Sequence, residues 1–560
     1  MSLFAKKSLD QMLAHAADGE KGLKRTLGAG NLIALGIGAI IGAGLFVRTA
    51  AAAGQAAGPA VTLSFIVAAI GCAFAGLCYA EFASMIPIAG SAYAYSYVTM
   101  GELVAWIIGW ALIMEYALGA ATVSIAWSSY LNKLLGGAIP YEWCHSPFES
   151  FTDEAGILHT GIMNVPALVI LLALTLLLIK GTQESAMVNA IIVFVKVAIV
   201  LLFIAIGWQF INTANYDPYL IPANTPPVLD KAGKVVADYS DWNKHGWGGV
   251  LGGAAIVFFA FIGFDAVSTA AQEAKNPKRD MPIGILGSLV VCTILYILFG
   301  HVLTGVTPWR DFVTPDKGQE ASVAYAIGKF GIEYRWLATS VTVAILAGFS
   351  SVILVMLMGQ SRIFYSMSND GLLPKSFGEL HPKFKTPYKS NWILFAFVGA
   401  FAAFVPGNIA GDLTSFGTLF AFVLVSLGVW LLRKKNPEMA RPFKTPLVPL
   451  VPILGALICL AMIVGLDSQT LKAAMLWMVI GLDIYYLYSQ TQSRLFKAES
   501  LQTTSFASQT FPIIAITIVM IGVAVFSGDK TSLFVAASQS LLAVFILFNQ
   551  QSLINRNSSK

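Results

Sequence analysis

The sequence predicts an all-α polytopic membrane protein, and three observations carry that prediction. Hydrophobic residues make up 57% of the 560 residues and charged ones only 12%, about half the charged share of a soluble chain. Mean hydropathy is +0.72, and apolar stretches of about 20 residues, each long enough to cross a bilayer as a helix, recur along the chain. Two of these stretches are interrupted by glycine. The first reads Gly36-Ile37-Gly38-Ala39-Ile40-Ile41-Gly42-Ala43-Gly44-Leu45-Phe46 and the second Phe258-Phe259-Ala260-Phe261-Ile262-Gly263-Phe264-Asp265. A helix broken in mid-membrane frees N–H and C=O groups that lipid cannot satisfy. Paired breaks in two halves of a chain point to the binding site of a secondary transporter.

In chain order the expected spans are 28–49, 60–84, 98–132, 164–180, 187–211, 249–273, 282–306, 335–368, 391–405, 411–432, 446–466, 471–490, 509–527 and 532–550. That is about fourteen helices, of which the third and eighth are long enough to tilt or project from the bilayer. Residues 1–27 are polar and the first apolar stretch is too long for an h-region, so no cleavable signal peptide is expected. Leu3, Phe4, Leu9, Met12 and Leu13 share one helical face beside Lys6 and Lys7. Both an amphipathic surface helix and a disordered tail fit that pattern.

Lys and Arg placement orients the chain. With a cytoplasmic N-terminus, the inner segments hold Lys6, Lys7, Lys21, Lys24 and Arg25, then Lys275, Lys278 and Arg279. Lys375, Lys383, Lys385, Lys389 and the cluster Arg433, Lys434, Lys435, Arg441 and Lys444 follow. Outer loops 50–58, 136–163 and 406–410 contain none. Both termini are therefore expected inside, and the net charge of +5 follows from topology without a nucleic-acid partner. Four cysteines fall within spans and Cys144 lacks an obvious mate, so no disulfide is expected. The histidines lack metal-ligand spacing. No cofactor is expected.

The first ten spans divide into two groups of five, each opening with a broken helix, the pattern of an inverted-topology repeat. The expected organisation is an N-terminal segment 1–27, a first repeat 28–211, an outer loop 212–248 and a second repeat 249–432. A basic linker 433–445, four peripheral helices in 446–550 and a tail 551–560 complete it. Loop 212–247 reads more readily as a linker than as a cap over the entrance.

Lys196 lies about 14 Å deep at 1.5 Å per residue, beyond the reach of snorkelling. An ionised lysine there is costly unless paired, so it is either a proton-coupling group or a permanently paired lock between two helices. Glu115 sits in mid-span without a local structural reason. Asp265 follows the second break, where capping the next half-helix and contacting substrate are equally good readings. Amides around Gly42, Ala43 and Gly44 open a half-helix and suit a carboxylate. Carbonyls near Ile40, Phe259 and Ile262 have lost helical partners and suit an ammonium group. Phe258, Phe259, Phe261 and Phe264 are candidate gate residues, or else lipid-facing filler.

These motifs resemble the paired signatures of the amino acid/polyamine/organocation transporters. The continuation Ala271-Gln272-Glu273-Ala274-Lys275-Asn276-Pro277-Lys278-Arg279-Asp280-Met281-Pro282 is similar to the cationic amino acid transporter branch, in its bacterial proton-coupled form. The resemblance covers most of residues 22–435. It implies a leucine-transporter-type core of five plus five inverted helices with helices 1 and 6 broken, working by alternating access, plus four peripheral helices. It implies a substrate carboxylate on the amides of Gly42, Ala43 and Gly44 and an amino group on the carbonyls of Ile40, Phe259 and Ile262. Lys196 matches a fifth-helix lysine that replaces a sodium ion in proton-coupled members, and Glu115 matches a third-helix acid. Ala43 departs from a hydroxyl residue common in relatives.

The expected function is thus import of cationic or small neutral L-amino acids across the cytoplasmic membrane by proton symport. An exchanger or uniporter with a structural Lys196, and a membrane sensor that binds without transporting, are the alternatives. The expected partners are an amino acid, a proton and the lipid bilayer, with a small single-span membrane subunit as a further candidate. No catalytic constellation is present in the sequence, so an enzyme is not expected.

Overall fold

In the computed structural model, residues 6–7, 25–42, 44–88, 90–152, 158–229, 235–313, 322–464, 466 and 468–495 are described. Most of the N-terminal segment, Ala43, and the expected spans 509–527 and 532–550 lie outside them. Eight described helices are long and apolar enough to cross a membrane, accompanied by the shorter apolar helices Ala29–Ile40, Val165–Lys180 and Leu450–Val464.

The helix boundaries have local causes. The helix Val165–Lys180 opens on Asn164, whose side chain accepts from the Ala167 N–H at 3.2 Å. Pro166 fills its first turn, where a missing N–H costs nothing, and Gly181 ends it. The helix Pro277–Val306 also carries proline in its first turn, but Asn276 before it makes no side-chain cap, and its N–H donates to Asp280 Oδ2 at 3.1 Å. The third expected span, 98–132, overlaps the preceding helix by two residues only. Ser91–Thr99 is a separate and fully buried helix, and the membrane helix proper begins at Glu102 and runs to Leu134 with a π-turn over Met114–Leu118. Strands among the described residues are confined to two loop hairpins, Ser150–Thr152 with Leu158–Thr160, and Val228–Leu229 with Val235–Ala237.

The helix Ala29–Ile40 packs against Pro277–Val306, Thr182–Gly207 and Arg335–Asn369 at once. It carries no charge, and glycines stand at its closest contacts. Gly36 faces Ser288, and Gly38 lies between Asn189 and Ser351, with no room for a methyl group at either position. Small residues allow this close approach, which supplies the van der Waals contact that drives helix association in lipid.

Two segments between helices are firmly docked. In 212–247, Tyr239 donates to Gly54 O at 2.6 Å and Ile221 packs against Gly58. In the basic stretch 433–445, Arg433 and Arg441 both bind the buried Glu81 carboxylate, at 2.7 and 3.2 Å. The Thr445 N–H donates to that carboxylate at 2.7 Å. These bonds fasten the chain leading to Leu450–Val464 onto the helix Val61–Met85.

Candidate functional site

The helix Ala29–Ile40 ends because Ile41 turns to extended backbone (φ −76°, ψ 100°), leaving C-terminal carbonyls that need donors from elsewhere. Lys196, fully buried, supplies them. Its ammonium donates to Gly38 O at 2.8 Å and to Ile41 O at 2.7 Å. A cation at a helix C-terminus also meets the negative end of the helix dipole. The Ser351 hydroxyl, with one proton to give, lies 3.1 Å from Gly38 O and 2.5 Å from Asn189 Oδ1. Asn189 in turn donates to Ala34 O at 3.3 Å. Lys196 and Asn189, seven residues apart, thus clasp one side of the helix two turns apart. No carboxylate pairs with Lys196 among the described residues.

Beyond the break the chain restarts as a π-turn, Gly44–Arg48. Gly42 O accepts from Leu45 N and Phe46 N at 3.2 and 3.3 Å. The buried amides of Gly42 and Gly44 have no acceptor among the described residues, so two donors at the mouth of a half-helix stand ready for an anionic group.

The second stretch unwinds through a 3-10 turn, Phe259–Phe261, and resumes as Ala266–Thr269. Gly263 sits at φ +110° with Ala39 2.8 Å from where its Cβ would be, a conformation and a contact that only glycine accepts. The two breaks touch: a Cβ on Gly44 would lie 2.2 Å from Ala260 Cα. Of the three expected acceptors, Ile262 O has no donor among the described residues, and Phe259 O accepts a long 3.3 Å bond from Ile262 N. Ile40 O, expected to be free, accepts from the Tyr296 hydroxyl at 2.8 Å.

The acids lie together. Glu115 and Asp265 are fully buried and face one another within hydrogen-bonding reach. Tyr116 donates to Asp265 Oδ2. Both Glu115 oxygens and Asp265 Oδ1 meet no donor among the described residues, and Thr418 beside Glu115 spends its proton on Thr414 O at 3.1 Å. A proton shared between the two carboxyls satisfies this geometry. Asp265 makes no side-chain capping bond to the helix it precedes, so the capping reading is corrected: its carboxyl points across to the π-turn that carries Glu115 and Tyr116. All four phenylalanines of the second break are buried, between 0% and 8% exposed, which removes the lipid-facing reading. Phe258 and Phe264 pack on Phe422, and Arg48 stands over the Phe259 ring at 5.2 Å.

The start of the first broken helix is tied to the chain that follows the second. Thr26 N and Leu27 N donate to Glu273 O, each at 2.9 Å, and Lys275 N donates to Leu27 O at 2.8 Å. The Glu273 side chain is held by Arg362 Nε at 2.6 Å, with both side chains at most 2% exposed.

Comparison with known proteins assigns this architecture. The amino acid permease family model matches residues 27–484. The chain belongs to the amino acid permease family. It is 44% identical to the branched-chain amino acid permease BcaP of Bacillus subtilis over 88% of the chain and 99% of that protein. It is 40% identical to the methylthioribose transporter of the same organism, over 89% of the chain and all of that protein. Human cationic amino acid transporter 4 is 33% identical over 77% of the chain and 63% of its own length. These relatives are permeases and transporters, not enzymes.

The permease's sequence reading missed Tyr296, Ser351, Asn189, Tyr116 and Arg362. Asn189 carried a signal, a polar residue two turns from Lys196 in an apolar span. Tyr116 sits beside Glu115 in a π-turn, a bulge common at functional sites. Tyr296 and Ser351 carried none, because hydroxyls are ordinary in membrane helices.

Proposed function

We propose that this permease is a secondary active importer of neutral aliphatic L-amino acids, coupled to protons and working by alternating access. On this reading residues 28–211 and 249–432 are two inverted sets of five helices of the leucine-transporter type. The segment 212–248 lies outside, 433–445 is a cytoplasmic linker, and the helices of 446–550 are peripheral, for about fourteen spans in all. The bias of Lys and Arg toward one set of loops supports cytoplasmic termini.

The observation that carries the reading is the pair of buried, acceptor-less amides at Gly42 and Gly44, a backbone contact away from the second break. A substrate carboxylate meets the amides of Gly42, Ala43 and Gly44, and its ammonium meets the carbonyls of Ile40, Phe259 and Ile262. Lys196 carries the coupling proton. Its bonds to Gly38 O and Ile41 O are charge-assisted only while it is an ammonium, and the neutral amine keeps two weaker N–H donors, so losing the proton loosens the end of the first broken helix.

Two features favour neutral over cationic substrates. Glu115 and Asp265 engage each other and Tyr116, which leaves them holding the third helix to the second break instead of meeting a substrate's charged side chain. The surrounding side chains are apolar, and two relatives, from Bacillus subtilis and Lactococcus lactis, bear the name branched-chain amino acid permease.

The test is uptake into proteoliposomes of labelled isoleucine, alanine, arginine and methylthioribose with the outside acidic. Isoleucine and alanine should accumulate and collapse with a protonophore. Accumulation of arginine or methylthioribose alone overturns the substrate assignment. Counterflow that ignores the pH gradient overturns the coupling and leaves an exchanger with a structural Lys196. Binding without counterflow leaves a sensor.

A further inference from the structure

The Tyr296 hydroxyl stands between the two broken helices. It lies 2.8 Å from Ile40 O, the last residue of the first half-helix, and 2.8 Å from Ala260 O in the 3-10 turn of the second. The residue is fully buried. Its ring is held between Phe65 and Phe261, each with ring centroids 5.3 Å away. It is thus the one described side chain that hydrogen-bonds backbone of both breaks.

A phenol has a single proton, whereas the two carbonyls ask for one donor each. Tyr296 alone therefore serves both by sharing, and each bond falls short of full strength. An amino acid's ammonium brings three protons to the same place. If it takes Ile40 O, Tyr296 gives its whole proton to Ala260 O, and both carbonyls are served. With no amino acid at the site, Tyr296 is the only donor that Ile40 O has among the described residues.

We infer that Tyr296 is the positioning residue for the return of the empty carrier: its hydroxyl stands in for the substrate ammonium, holding the two broken helices together while the site is unloaded. This rests on the transport reading above and goes beyond it. Net uptake requires the empty carrier to reorient in every cycle, and exchange of one amino acid for another does not. Loss of the hydroxyl therefore weighs on net uptake more than on exchange. It also removes a competitor for Ile40 O, so the apparent KM should hold or fall.

The experiment compares wild type and Tyr296→Phe in proteoliposomes with labelled isoleucine as the probe. Net uptake into vesicles empty of amino acid, outside acidic, is set against exchange into vesicles preloaded with isoleucine. Net uptake should fall about tenfold more than exchange, the factor expected when a buried acceptor loses its donor. The control Phe65→Leu, which loosens the ring and keeps the hydroxyl, should lower both modes in parallel. Equal losses in Tyr296→Phe, or a raised KM, overturn the inference. Should that variant fail to fold, 3-fluorotyrosine at the same position keeps the ring and makes a stronger donor. It should raise the ratio of net uptake to exchange, and an unchanged ratio overturns the inference. Wild type that performs neither mode with isoleucine defeats the transport reading and this inference with it. Wild type active in both modes with no split in the variant defeats this inference alone.

Discussion

Lys196 and the pair Glu115–Asp265 are the two places where ionisable groups sit fully buried beside the helix breaks, and they are made comfortable in opposite ways. Lys196 meets no acid. It is served by two backbone carbonyls at 2.8 and 2.7 Å that the break has stripped of their helical partners. Glu115 and Asp265 meet no base, and the titratable groups facing them are Tyr116, Tyr79 and Tyr95. One site meets a lone lysine with backbone carbonyls, and the other sets two carboxyls beside a tyrosine hydroxyl that donates to one of them. The inner ion pair of Arg362 with Glu273 is the conventional third solution. The difference teaches that the Lys196 site depends on its proton for the shape of the backbone, whereas the acid pair depends on the presence of any donor between its two side chains.

Substitution at Lys196 should break that comparison with the largest effect. Lys196→Met strips the charge-assisted donor from Gly38 O and Ile41 O, each bond worth about 1.5–3 kcal/mol. Concentrative uptake is expected to fall by about a hundredfold or more, read as proton-driven accumulation of isoleucine in proteoliposomes. Retention of full accumulation by the variant would sink the role of the charge.

Next comes the inner pair. Arg362→Met leaves Glu273 buried without its partner and should cost about 3–5 kcal/mol, measured as a lowered midpoint in thermal unfolding of the detergent-solubilised protein. The double substitution Arg362→Met, Glu273→Leu should recover most of that loss. No recovery would mean that Arg362 acts by packing and through its bond to Met358 O at 3.0 Å, not through the ion pair.

The acid pair should be far more tolerant of neutralisation. Glu115→Gln supplies its own N–H donor to Asp265, so uptake should stay within about tenfold of wild type, the range of one altered buried hydrogen bond. Glu115→Leu, which supplies no donor, should do worse. If the glutamine variant is as impaired as Lys196→Met, the acid pair works as a charge and the comparison fails.

The smallest effect belongs to a partly exposed acid in the loop after Leu134. A hydrogen bond from His159 holds the Glu142 carboxyl below its ordinary value of 4.5. A depressed carboxyl contributes stability above its unfolded value and loses it as pH falls through the folded one. Any stability difference between wild type and Glu142→Gln should therefore be present at pH 6 and shrink as pH falls below 4.5. A difference that persists in acid would place the effect elsewhere.

The legible part of this molecule was the part governed by local physics. Hydropathy over windows of about 20 residues marked the membrane helices, with the third span expected from 98 and observed from Glu102. Glycine in mid-span marked the breaks. The depth of Lys196 marked a residue that had to find unusual partners. The identity of those partners was illegible, because it depends on how helices far apart in sequence are rotated against each other. Ser351, Asn189 and Tyr296 meet the first broken helix from three different helices, and only Asn189, two turns from Lys196 in an apolar span, stood out in its local sequence. The same holds for Asp265, whose position invited a cap and whose side chain was taken by Tyr116 and Glu115 across a helix interface.

By itself the sequence determined that two helices break in the membrane and that a lysine lies buried in another, since both follow from side chains and backbone in a single segment. Only the tertiary structure decided which carbonyls Lys196 holds, which hydroxyl spans the two breaks and which amides stay without an acceptor. Those are matters of who stands opposite whom, and a chain's hydrogen-bonding demand is written locally while its supply comes from wherever packing brings the nearest donor.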